Sequence, residues 1–149
     1  MPTRLAGITI HALCLDRAMA GLRIKAEIIN LSALLKQLNA APVEFLHAAA
    51  AEIYQEAEGI MAQAKELVPV LTGNLRDSGH VELPRVEKSS ALVELGFGSS
   101  AVKYATPVHE NLEAHHPRGG TAKYLELPYK AALPGMEARI AAGIRGRVK

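Results

Sequence analysis

The chain has 149 residues, 17 basic against 15 acidic, one cysteine, and 49% apolar but only 4% aromatic residues. That length fits one domain with its own core. The near balance of charge excludes a dedicated nucleic-acid binder, which shows a clustered basic face, and a lone Cys14 excludes an internal disulfide and makes a reducing compartment the default.

In chain order, residues 1–20 show weak periodicity and no caps. They read as an N-terminal arm or extension ahead of a single α+β domain over residues 21–149. Arg4 followed by Leu5 to Leu15 faintly mimics a signal peptide, but His11 and Asp16 interrupt it, so the reading is a chain that is not secreted. No run approaches the roughly 18–20 apolar residues of a membrane span, and no membrane partner is expected. Leu22-Arg23-Ile24-Lys25-Ala26-Glu27-Ile28 alternates apolar and charged, which predicts a strand with Leu22, Ile24, Ala26 and Ile28 inward. Asn30 is placed to cap a short helix carrying Leu31, Leu34, Leu35 and Leu38.

Pro42 suits the first turn of the next helix, which runs to about Leu67, roughly 38 Å at 1.5 Å per residue. Leu46, Ala49, Ala50, Ile53, Ala57, Ile60, Met61, Ala64 and Leu67 recur at three- and four-residue spacing and form one apolar stripe. Gly59 interrupts it and is expected where a strand or a neighbouring subunit comes close. Val68-Pro69 then stops the helix: the residue before a proline leaves the α region, and the proline has no N–H to give. Thr72-Gly73-Asn74 supplies turn chemistry, with Gly73 and Asn74 able to take positive φ. The result is a rigid elbow, with Pro69, Thr72, Gly73, Leu75, Arg76 and Ser78 as its structural residues, laying the helix against a sheet.

Ser78 to Val86 and Ala91 to Phe97 read as two antiparallel strands joined by a polar turn, with Pro84 marking an edge or a bulge. Gly98 to Lys103 and His115 to Gly120 read as loops. A last helix is expected between about Lys123 and Ile144, broken or kinked at Pro128 and Pro134-Gly135. The scarcity of aromatics requires a core of Ala, Leu, Ile and Val, which implies modest stability for the isolated chain and reliance on subunit contacts.

The densest polar cluster is His109-Glu110-Asn111-Leu112-Glu113-Ala114-His115-His116. On one continuous helix, His109, Glu113 and His116 would share a face and converge on a metal, as in a small metal-dependent hydrolase. The zinc-peptidase pattern fails as written, because its second histidine position holds Glu113, and the loop after His116 argues against a closed cage. No metal or cofactor is expected. Gly96 and Gly98 do not complete a dinucleotide fingerprint, and there is no Gly-x-Ser-x-Gly elbow. Tyr104, Tyr124 and Tyr129 read as core and interface anchors rather than base-stacking platforms. Arg139, Arg145, Arg147 and Lys149 read as cations at a solvated helix end.

The segment from Ala64 through Pro69, Thr72-Gly73, Leu75-Arg76 and Ser78 resembles the helix-to-sheet signature of phage tail-completion or head–tail joining proteins, the gene-product-ten-like minor structural family of long-tailed bacteriophages. Val102-Lys103-Tyr104-Ala105 with Val108-His109-Glu110 resembles that family's second motif, and Gly120-Thr121-Ala122-Lys123-Tyr124-Leu125-Glu126 its third. The resemblance spans about residues 22–145, and the first twenty residues and the histidines at 115 and 116 lie outside it. It implies a non-enzymatic virion component at the neck, assembled in the host cytoplasm as a homo-oligomeric ring of six copies. Its neighbours would be other neck, tail-terminator, head-closure or tail-tube proteins, with non-specific contact to DNA in the channel. Tail terminator and head-closure rings are alternatives within the same class. Lys103, Tyr104, His109, Glu110, His115, His116 and Arg118 are the expected interface-loop residues.

Overall fold

Pro42 and Val68 bracket the element on which the rest is built. In a computed structural model that describes residues 9–13, 21–29, 42–87 and 90–148, helix α1 runs Pro42–Leu67 and is joined by sheet and helices into an α+β fold. The predicted stripe is the buried face: Leu46, Ala49, Ala50, Ile53, Ala57, Ile60, Met61 and Ala64 are all in the core, with Leu67 partly buried at its end. Phe45 and Ala48 join them. Alanines on this face let the helix sit close to the sheet, so dispersion contacts replace the large side chains the composition lacks. No strand of the described chain comes close to Gly59: it is exposed, and a side chain added there would meet nothing within 4 Å.

The described residues form a five-stranded antiparallel sheet: β1 (Thr9–Leu13), β2 (Leu22–Ile29), β3 (His80–Val81), β4 (Arg85–Val86) and β5 (Ala91–Phe97). Its order is β1-β2-β5-β3, with β4 also on β5. Part of the expected N-terminal arm is therefore a strand, with Thr9 paired to Ile29 and Leu13 to Lys25. Leu22 lies opposite Phe97 and Ile24 opposite Leu95, and all four are buried with Ala91 and Val93. The other face carries Arg23, whose Nη1 lies 3.1 Å from Glu82 Oε1 and 3.5 Å from the buried Glu94. Arg85 reaches Glu82 from the edge at 2.7 Å.

The strand expected over Ser78–Val86 is shorter and interrupted. Asn74–Asp77 forms a single helical turn, α2, so pairing begins only at His80. His80 pairs with Gly96 and Val81 with Leu95, and the Glu82 N–H donates to the Glu94 carbonyl at 2.7 Å. Pairing then resumes with Arg85 opposite Leu92 and Val86 opposite Ala91. Two residues, Leu83 and Pro84, thus face the single Val93, which is a β-bulge. Pro84 has no N–H for the ladder, and the bulge is where the edge accommodates it.

The C-terminal third adds α3 (Ala105–Glu110), α4 (Glu126–Ala132) and α5 (Met136–Arg147). Only Pro134-Gly135 breaks the last helical region; Gly135 takes φ +75°. Pro128 does not kink it, because it sits in the first turn of α4, where the missing N–H has no intrahelical partner to lose. Met136, Ile140 and Ile144 of α5 enter the core. The basic end is not merely solvated. Arg139 forks onto Glu56 of α1 at 2.8 Å for both Nε and Nη2, and Arg147 pairs with Glu52. The short leucine helix from Asn30, Cys14 and Lys149 lie outside the described residues.

Candidate functional site

The elbow, the 115–120 loop and α3 meet at one place. Val68 ends α1 with its N–H still donating to the Ala64 carbonyl at 2.9 Å, and Pro69 turns the chain away. Gly73 adopts φ +90°, a region L side chains rarely enter, and opens α2. Asn74, also expected to be able to take positive φ, does not; it is the first residue of α2. Leu75 is buried, and Ser78 ties the elbow to the sheet. Its hydroxyl donates to the Leu75 carbonyl at 2.6 Å and accepts the Gly98 N–H at 3.1 Å. Arg76 lies exposed beside Asp77 at 3.5 Å. Thr72 is exposed at the outer turn.

The histidine loop docks on this elbow through backbone groups. The Thr121 N–H donates to the Leu67 carbonyl at 2.9 Å, and Arg118 Nη1 donates to the Leu71 carbonyl at 2.9 Å. These capture carbonyls left open at the end of α1 and in the elbow. Gly120 takes φ +96° with its Cα against Pro69; a Cβ there would stand 2.4 Å from Pro69 Cα. Gly120 is thus a fitted contact, where the sequence shows only a loop.

Between the elbow and the loop runs a cleft of about 510 Å³. Leu71, Leu75, Tyr104, Val108, His116 and Arg118 are among the residues that line it. Leu71 is 74% exposed and Tyr104 42% exposed, so the cleft presents apolar surface to solvent. Of the expected interface residues, Lys103, Tyr104, His115 and Arg118 are exposed, and His116 is half-buried.

His109 is not a surface residue of an interface loop. It is 0% exposed and belongs to the core. Its ring meets Tyr124 edge-on, with centroids 5.0 Å apart, and Tyr124 meets Phe97 the same way at 5.1 Å. The Tyr124 hydroxyl donates to the Ala105 carbonyl at 2.8 Å. The Glu126 N–H lies 3.4 Å from His109 Nε2, so Nε2 is the acceptor, and Nδ1–H donates to Glu110 Oε1 at 2.9 Å. This neutral imidazole caps the start of α4. Burial pushes the His109 pKa below its ordinary value, and the Glu110 carboxylate only partly offsets that.

Glu110 turns inward as well, bonding Lys123 Nζ at 2.7 Å, while Lys123 also reaches Glu126 at 3.1 Å. These contacts hold the Glu110 and Glu126 carboxyls below their usual range and the Lys123 ammonium above its own. Lys123 sits at φ +58°, with its N–H on the His109 carbonyl at 2.8 Å. A strained non-glycine residue persists only where its surroundings over-determine it. The cluster is a clasp between α3 and α4.

The metal geometry does not form. α3 ends at Glu110, so Glu113 and His116 are not on a helix with His109, and Glu113 points to solvent while His109 faces the core. Among the described residues no group of three or more His, Cys, Asp or Glu side chains is arranged to hold a metal ion. No described helix is long and apolar enough to cross a membrane.

No family model, no curated protein sequence and no solved structure matches this chain.

Proposed function

We propose that this chain is a structural virion protein of a tailed bacteriophage, a ring subunit at the neck that completes the tail or joins it to the head. One observation carries the reading. The three stretches on which the family resemblance rests lie apart in sequence, yet the first two line one cleft and the third seats the loop that completes it. The first supplies the elbow, the second supplies Tyr104 and Val108, and the third supplies Gly120 and Thr121, which seat the loop on Pro69 and Leu67. Those residues shape an open apolar cleft and do not converge acids, bases or nucleophiles on a reacting atom. A concave, largely apolar patch open to solvent is a surface suited to a protein contact.

The ring reading asks for head-to-tail contacts that close by rotation. The polar clasp around His109 and the ion pairs from α5 to α1 keep the cleft's supporting elements fixed, so its shape exists before a partner arrives. Deleting the gene from a phage that carries it is the direct test. The expected result is heads and tails that are not joined. A normal yield of infectious tailed particles would falsify the proposal.

A further inference from the structure

The chain leaves α3 at Asn111 and returns to α4 after Ala122, and His109 holds both ends of that span. Its carbonyl accepts the Lys123 N–H at 2.8 Å, its Nδ1–H goes to Glu110 at the end of α3, and its Nε2 faces the Glu126 N–H that opens α4. Between these ends no residue from Asn111 to Thr121 is buried. The span lies on the elbow through the Thr121 N–H and the Arg118 side chain, which reach the Leu67 and Leu71 carbonyls. His116, within the span, keeps its Nε2 buried with no hydrogen-bond partner among the described residues, a cost that lifting the span into water removes. A segment with little buried apolar surface opens at a lower free energy than the core does.

The buried ring makes that opening responsive to protons. While it is neutral, each ring nitrogen has the role its partner requires, Nδ1 as donor and Nε2 as acceptor. A second ring proton turns Nε2 into a donor aimed at the Glu126 N–H, which is also a donor, and the enclosed ring has no solvent to accept it. The charged groups that act on the ring are Glu110 of α3, and Lys123 and Glu126 at the start of α4; Tyr124 meets it edge-on. Lys123 already binds both carboxylates, so neither turns to Nε2 without giving up that ion pair. We propose that His109 is a proton-sensitive latch: its protonation below about pH 6.5 unfastens α3 from α4 and lets residues 111–122 lift from the elbow, taking the His116 and Arg118 side of the cleft with them. In the lifted form the ring titrates near its ordinary value of about 6.5, above its value in the closed clasp, so each proton bound favours opening. The latch is independent of what fills the cleft and of the ring reading.

Amide exchange read by NMR on the full chain, at about pH 7.5 and 5.5 and corrected for intrinsic rates, tests it. In the wild type, Thr121, Lys123 and Glu126 should exchange through an opening insensitive to low urea, whereas exchange at Val93 and Leu95 of β5 should steepen with urea. At the lower pH those three amides should lose protection by at least about threefold and up to about tenfold, the most that one proton titrating near pH 6.5 gives over that interval. His109→Gln offers a donor and an acceptor but takes up no proton in this range, so its Thr121, Lys123 and Glu126 protection should not change with pH. If circular dichroism shows that this variant does not fold, the ring nitrogen shifts of wild-type His109 replace it, and they should titrate with the midpoint at which Thr121 loses protection. Four results overturn the latch: wild-type protection that does not change with pH, the same urea dependence at Thr121 as at Val93, pH dependence that persists in His109→Gln, or separate midpoints for the ring and for Thr121.

Discussion

Replacing Gly120 by alanine tests whether the cleft depends on the loop being seated on the elbow. Gly120 has φ +96°, and the added Cβ would lie 2.4 Å from Pro69 Cα and 2.6 Å from Pro69 N. Both are backbone atoms of a fixed ring, so neither can swing aside. Gly119 is the control: its φ is +88°, but a Cβ there meets nothing within 4 Å. The conformational penalty common to both is about 1–2 kcal/mol. The clash adds about 1–3 kcal/mol at Gly120 alone. Gly120→Ala should therefore cost about 2–5 kcal/mol in all, a fall in Tm of roughly 5–20 °C for a domain of this size. If the loop instead lifts off, the Thr121 N–H loses the Leu67 carbonyl, and its amide exchange should speed up while the core amides keep their protection. Thermal melts with amide exchange on both variants distinguish these outcomes. Equal melting temperatures and equal Thr121 protection in the two variants would refute the seated-loop geometry.

Two further expectations concern the core beneath the cleft. Because burial lowers the His109 pKa below the value of the unfolded chain, the unfolded state binds the proton first as pH falls. Stability from this group is present above about pH 6.5 and declines below it, before Glu110 and Glu126 lose theirs at lower pH. Denaturation midpoints from about pH 7 to 5 should fall less steeply in His109→Gln than in the wild type; identical slopes would count against a neutral buried imidazole. Tyr124→Phe removes the buried hydrogen bond to the Ala105 carbonyl and should cost about 0.5–1.5 kcal/mol by urea unfolding. No loss there would mean the hydroxyl is dispensable.

What could be read in advance was local. The stripe from Leu46 to Leu67 and the stop at Val68-Pro69 depend only on helical period and proline chemistry, and they hold. Pro84 foretold a defect at the sheet edge, and the bulge is that defect. Pro128 was misleading, because a proline's effect depends on its distance from a helix start that only tertiary structure fixes. His109 was misleading for a related reason. Its neighbours in sequence are polar, but its neighbours in space are Tyr124 and the backbone of Glu126. The clamps from Glu56 to Arg139 and from Glu52 to Arg147 join residues 83 and 95 positions apart, beyond the reach of any local pattern. The cleft belongs to this second group. Its lining comes from distant segments, and the loop over 115–120 gave no sign that Gly120 would pass close to the Pro69 backbone.

The most direct test of a neck-ring role is an averaged electron cryo-image of the neck of a particle carrying this chain. The proposal predicts a closed ring of identical subunits between head and tail tube, into which the α1 rod and its sheet fit. A neck whose density is fully accounted for by other chains would contradict it.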